Sequence, residues 1–474
     1  MRLIMYSSSS HQRIGYVFSV LIFFCTLLCF SSAQAANAEK NNSVNKESGK
    51  ELEELYLTTI VQAYQELVSN PAFTLESPQF NILLDKVKTA HKNRNPEQVL
   101  GLLVNNMNVI KGSYTNKQIP DLIKIALQNH APGVAQQIRI TIETQAPRAI
   151  IATCDYEIAK YLAQQNDWDG ALTILKTLDL STELSSINAD NAFIIWGAAL
   201  QHTKKHRQAL DYYQRVKADS PLYPLAQLDT ALVYIRQDWW TDAQISMQNA
   251  VKANGEKFNE FTNRVYTTLG FSQLQQGFYR NARDSFRKVK IKSEYADQAL
   301  LGLGMSALNQ EDFVGAFNAF DQLKKRQQPT TAVEQSYLMA AFTLVKLKQN
   351  KSAAAAYAEA QVYYEGKVNF FSNIENQIAT LSDNDLQPLI INLTKEGFKE
   401  SPESNAYIIQ LNTLSKLLSY PLSERTKSNI SIAYTKTIAA YKATTKTNLD
   451  SRLSVLTSYL NQSRFGLTKL YDTP

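Results

Sequence analysis

Apolar residues along most of this chain return every three or four positions, the spacing of one face of an α-helix, with no sustained alternation of apolar and polar residues that would mark strands. From Glu51 the pattern places Leu55, Ile60 and Tyr64 on one side. Near the other end Leu449, Leu453, Leu456, Leu460, Ser463, Leu467 and Leu470 follow in three-four steps, a seam of the kind that packs against another helix. Polar runs and prolines punctuate the pattern: Pro71, Pro78, Pro96, Pro120 and Pro132 in the first third, Lys252 to Glu260 and Gln327-Gln328-Pro329 further on. Only 16 glycines and 13 prolines interrupt 474 residues. The pattern predicts an all-α protein.

Inside that helical pattern lies a second, longer period. Ala209 is followed 34 residues later by Ala243, and Ala282 by Ala316 at the same interval. Gly197 maps onto Ala231, Gly270 onto Gly304, Tyr213 onto Met247 and Phe286 onto Phe320, all by the same step of 34. A fixed period of this length is the mark of a stacked helical solenoid, in which each unit buries its face on its neighbours. The step widens to 39 from Ala243 to Ala282 and to 37 from Ala316 to Ala353, where the two later polar runs supply the excess. Insertions between helices are tolerated because closure entropy grows slowly with length.

One unit reads VYTTLGFSQLQQGFYRNARDSFRKVK, residues 265–290. It resembles the tetratricopeptide repeat (TPR), two antiparallel helices with small residues where they cross. Leu269-Gly270, the turn Gly277-Phe278-Tyr279, Ala282 and Phe286 fall on that family's leucine-glycine, turn, alanine and aromatic positions. Pro221, Tyr234, Trp240, Ala250, Leu303-Gly304 and Phe313 add landmarks, and a weaker unit at 159–175 adds Trp168 and Ala171. About six units fit between residues 150 and 365. The resemblance implies a right-handed superhelical solenoid of antiparallel helix pairs, with helical extensions at 51–149, where degenerate repeats are an open reading, and at 366–474.

The resemblance also implies a concave groove, lined by the first helix of each pair, that holds a protein or peptide segment. Here that face would carry Leu228, Leu232 and Ile235, then Phe271 and Leu274, then Leu301, Met305 and Leu308, then Leu338, Phe342 and Val345. Arg236, Gln275, Asn309 and Lys346 would form its polar edge. The lysine and asparagine clamp for a peptide's terminal carboxylate, found in chaperone adaptors of this family, is missing from these positions. The leucine seam at the C-terminus is expected to cover the solenoid's end, with a partner helix or self-association as the alternatives.

Residues 1–35 read as a secretory signal peptide: Arg2, His11 and Arg13 precede an apolar core, Val17 to Phe30, and Ala33-Gln34-Ala35 offers small residues for cleavage before Ala36. The expected location is periplasmic; an inner-membrane anchor through residues 14–30 is the alternative. Residues 36–50 are a polar, flexible leader. Cys25 and Cys29 leave with the signal, so Cys154 remains alone and no internal disulfide is expected.

Searching for chemistry narrows the reading further. His202 and His206 have a metal-like interval, but the repeat register puts the interhelix turn between them. There is no nucleophile elbow, phosphate loop, HExxH helix or paired-cysteine knuckle. Loss of Arg2 and Arg13 leaves 47 basic residues against 43 acidic ones, a net charge of +4. That is too mild, and KKR at 324–326 too short, for a nucleic-acid stripe, though it suits an anionic partner or envelope surface. The expected function is a non-catalytic scaffold without cofactor or metal that binds another protein in cell-envelope assembly or transport. The alternative is a peptidoglycan- or carbohydrate-associated enzyme or accessory with its site in the C-terminal region.

Overall fold

In the computed structural model the described residues are 49–67, 76–254, 259–326, 329–380 and 386–472; the signal-peptide and most of the leader reading lie outside them. Among the described residues every regular element is helical. Helix α1 spans 49–67. It is followed by α2 (Phe80–Lys92), α3 (Pro96–Asn105), α4 (Met107–Gly112), α5 (Ile119–Gln128) and α6 (Pro132–Ile142). The repeat region comprises α7 (Arg148–Gln164), α8 (Trp168–Leu175), α9 (Ser186–His202), α10 (His206–Tyr213), α11 (Tyr223–Arg236), α12 (Trp240–Ala253), α13 (Glu260–Gln275), α14 (Tyr279–Arg287), α15 (Ala296–Asn309), α16 (Phe313–Lys324), α17 (Thr331–Lys346) and α18 (Asn350–Ala379). Last come α19 (Leu386–Lys395), α20 (Pro402–Leu418) and α21 (Glu424–Asp472).

One turn is repeated along this series. Arg94, His130, Asn166, Lys204, Asp238, Gly277, Glu311 and Lys348 have φ between 52° and 77°, each between the two helices of a hairpin. In each case the next amide donates to the carbonyl five residues back, as in Asn95 to Ala90 (3.0 Å), Ala131 to Ala126 (3.1 Å), Asp167 to Leu162 (2.8 Å) and Gln349 to Leu344 (3.0 Å). This satisfies carbonyls left open at the first helix's C-terminus. Six of these turns fall within residues 150–365, and two, Arg94 and His130, extend the same hairpin geometry upstream. Where the second helix starts with Asp-x-x-Gly, the aspartate caps it: Gly170 N–H donates to Asp167 (3.1 Å) and Gly315 N–H to Asp312 (2.9 Å).

The 34-residue period has a steric cause. A Cβ on Gly197 would lie 2.4 Å from the Tyr213 ring, one on Gly270 2.6 Å from Phe286, and one on Gly304 2.4 Å from Phe320. The first helix therefore gives up its side chain so that the second can bury an aromatic ring at the crossing. In the α11–α12 unit a flexible methionine, Met247, takes the ring's position and Ala231 is accommodated; both are buried in one core. Ala209, Ala243, Ala282, Ala316 and Ala353 are all buried on the second helices.

The C-terminal helix differs from expectation. It begins at Glu424, well ahead of the leucine seam, and runs for 49 residues, about 73 Å at 1.5 Å per residue. Helix α18 likewise passes residue 366 without a break, because α21 packs along its length. The leucine seam is covered: Leu449 and Leu456 are fully buried and Leu460 is 6% exposed. A Cβ on Gly466 would meet the Tyr357 ring at 2.4 Å, just as one on Gly302 would meet Phe286 at 2.2 Å. The end of α21 thus stands where the first helix of a further repeat would stand, and caps the array.

At its other end α21 meets the beginning of the chain. Gln62 on α1 donates to Thr426 (3.1 Å) and accepts from Asn429 (2.8 Å), and Glu66 accepts from Ser423 Oγ (3.0 Å). Lys416 on α20 pairs with Glu97 on α3 at 3.0 Å. Apolar residues of α1–α7 and of α17–α21 form one continuous core. The two ends of the solenoid are therefore joined.

Candidate partner-binding groove

Phe271, Met305 and Phe342 sit at matching positions of α13, α15 and α17, the glycine or alanine of each crossing being one residue earlier: Gly270, Gly304 and Ala341. All three belong to one apolar cluster with Leu274, Leu301 and Leu308. Phe271 and Phe342 are half-buried, whereas Met305 is 7% exposed and forms the floor between them. Phe271 stands edge-on to Phe286 (4.9 Å between centroids, 74°), and the Lys346 ammonium lies 5.4 Å from the Phe342 ring centre. Asn309 folds back to donate to the Met305 carbonyl at 2.8 Å, while Gln275 is exposed.

The structure corrects the expected lining at four leucines. Leu228 is fully buried among Ala231, Met247 and Val265, so it belongs to the core beneath the face. Leu338 is buried in the core shared with α18 and α21, because the C-terminal helix docks on the start of α17: Gln335 donates to the Tyr459 hydroxyl (2.9 Å) and Arg452 pairs with buried Glu334. Leu301 and Leu308 are likewise buried. Leu232 is half-buried, and Arg236 is exposed at the end of α11.

Arg236 opens onto a polar section of the face that periodicity did not single out. Its guanidinium donates to Gln201 Oε1 (3.0 Å), and Gln201 Nε2 donates to the Tyr213 hydroxyl (2.6 Å) and more loosely to the Asp229 carbonyl (3.5 Å). Burial pushes the Asp229 carboxyl up to about 6, against the pull of Arg264 and Arg236. His202 stacks on Trp168 (4.4 Å, 15°), and burial, aided by Arg236, holds its imidazole below the ordinary value. It closes α9 and His206 opens α10, with left-handed Lys204 between them. The signal for this section was present in the sequence: Gln201 and Arg236 lie 35 apart, one repeat step plus one.

A cleft of about 440 Å³ opens between α12, α13 and α14, lined by Gln244, Met247, Tyr266, Gln273 and Lys288 among others. Among the described residues no group of three or more His, Cys, Asp or Glu side chains could hold a metal ion. No described helix is long and apolar enough to cross a membrane. Cys154 is fully buried and its thiol is pushed up to about 12 by burial, which removes the thiolate needed for reactivity. In and beside the C-terminal region Glu334 pairs with Arg452, Lys367 pairs with Glu396 at 2.7 Å, and half-buried Glu400 accepts from the Tyr441 hydroxyl at 3.1 Å.

The architecture is that of a TPR-like solenoid. No protein-family model matches the chain, and no curated protein matches it. Among solved structures it is similar to a tetratricopeptide repeat protein from Parabacteroides merdae, at 14% identity over 65% of this chain and 99% of that one (TM-score 0.35). It is also similar to the apo form of RapI, at 14% identity over 71% and 98% (TM-score 0.45). A third is the apo quorum sensor NprR from B. thuringiensis, at 12% identity over 67% and 98% (TM-score 0.39). None of these likenesses assigns a ligand to this chain.

Proposed function

We propose that this protein is a non-catalytic scaffold that holds a protein or peptide segment against the inner face of α11–α17, and that it does so in the periplasm as part of envelope assembly or transport. The observation that carries the groove is the pair Phe271 and Phe342, half-exposed at matching positions on either side of Met305. Half-exposed rings on a firm apolar floor are the anchors that bound segments use, and Lys346 and Arg236 at the edges suit acidic residues flanking such a segment. Small-residue cleavage positions at Ala33 and Ala35 support export, and sequencing the purified protein is expected to find Ala36 first.

The decisive experiment separates folding from binding. Chains captured from envelope extracts are identified, and their affinity is measured by calorimetry for the native protein and for Phe271→Ala and Phe342→Ala. Each truncation should weaken association by about 1–2 kcal/mol while leaving the melting midpoint nearly unchanged. A fall in midpoint with no selective loss of affinity would mean that both rings are ordinary core residues.

A further inference from the structure

Glu53 occupies the joint between the chain's two ends. Its carboxylate accepts the Gly133 N–H of α6 on one oxygen (3.2 Å) and Gln410 Nε2 of α20 on the other (2.8 Å), tying α1 to both. Approach is close: a Cβ on Gly133 would lie 3.0 Å from Leu57. Among the described residues no lysine or arginine pairs with this carboxylate. The titratable groups around it are Tyr56 on its own helix, Tyr161 on α7 and Tyr407 on α20, all pushed above the ordinary phenol range mainly by burial. The nearby acid Glu97 on α3 has its own cation, Lys416 of α20. Gln410 Oε1 is buried without a hydrogen-bond partner. A turned carboxamide would present that oxygen to a protonated Glu53, so the same glutamine serves as donor to the carboxylate or as acceptor from the acid.

We propose that Glu53 is a proton-operated latch on the closed ring: uncharged, it lets α1, α6 and α20 close around it, and ionised it loosens them. An unpaired carboxylate taken from water is costly unless its charge is matched, and two neutral donors match it only in part. Burial accordingly pushes this carboxyl from 4.5 up to about 7, with the Gly133 and Gln410 bonds opposing. In an opened joint the carboxyl loses its proton near the ordinary value, and in the closed joint it keeps the proton up to about 7. Closure is thus strongest in acid and weakens as pH rises through neutrality. The latch stands independently of what the groove holds.

The test is hydrogen exchange on the full chain, native against Glu53→Gln, at pH 6.0 and 8.5, reading the ratio of the two proteins' rates so that intrinsic pH effects cancel. For α1 and α20 this ratio should rise about tenfold between the two pH values, with α13–α16 unchanged. A ratio independent of pH, or an equal rise in α13–α16, would overturn the latch. Gln410→Leu provides a second arm should Glu53→Gln fail to fold. Losing a donor to the carboxylate, it should open the joint more steeply with pH than the native protein, and an unaltered pH profile would equally count against Glu53.

Discussion

The repeat units and the closure of the ring use opposite means. Between Gly197 and Phe320 each unit is held by contacts of short reach: glycine and the aromatic ring that fills its missing side chain are 16 positions apart in all three glycine-bearing pairs. The closure joins residues more than 300 positions apart, and over the apolar core that the two ends share it lays polar contacts such as Gln62 with Thr426 and Asn429, Lys416 with Glu97 and Glu53 with Gln410. Steric fit tolerates change only where both sides of the crossing change together, as at Ala231 and Met247, but is indifferent to pH and salt. Polar closure is adjustable, because its strength depends on charge state and on competition with water.

Substitutions on the two sides should separate these means. The largest effect is expected where the closing helix docks, at Arg452→Ala, which strands the fully buried Glu334 carboxylate and should cost about 3 kcal/mol in urea unfolding. Equal stability would show that Glu334, whose proton affinity burial already raises, simply takes up a proton there. Next come the crossings. Gly304→Ala and Ala316→Phe should each lose about 1–3 kcal/mol in thermal melts through overpacking against Phe320 and the facing helix. Unchanged midpoints for both would refute the steric origin of the period. The smallest effect is a gain: Glu311 is exposed and left-handed, so Glu311→Gly should stabilise by about 1 kcal/mol, measured as a raised unfolding midpoint.

The same contrast explains what could be read from the sequence. The crossing rule is local and written in glycine, alanine and aromatic residues, so the hairpins from Ala171 to Ala353 were legible with their register. The upstream hairpins were not, because in register with their turns they carry Val87 and Leu103, and Ile123 and Arg139, where the period has its small residue and its aromatic ring. The sequence located Phe271 and Phe342 on one face, but not how deep each position lies. Leu228 and Met305 share the same periodicity yet are buried, since depth depends on how far the neighbouring helix approaches. The closure left no trace in periodicity at all: nothing in the spacing of Gln62 or Glu53 points to partners more than 350 positions away.

The long C-terminal helix has a mechanical consequence. A stack of hairpins is a spring, since small rotations at each junction add up to a large change in pitch. Helix α21 is held near one end by α1, where Gln62 meets Thr426, and near the other by α18, where Glu365 meets Arg464 at 2.7 Å. It acts as a tie-rod about 73 Å long that fixes the extension of the spring between its anchors. Force applied across the array would be borne first by the rod's end fittings, and the coil would begin to stretch only after one of them had let go.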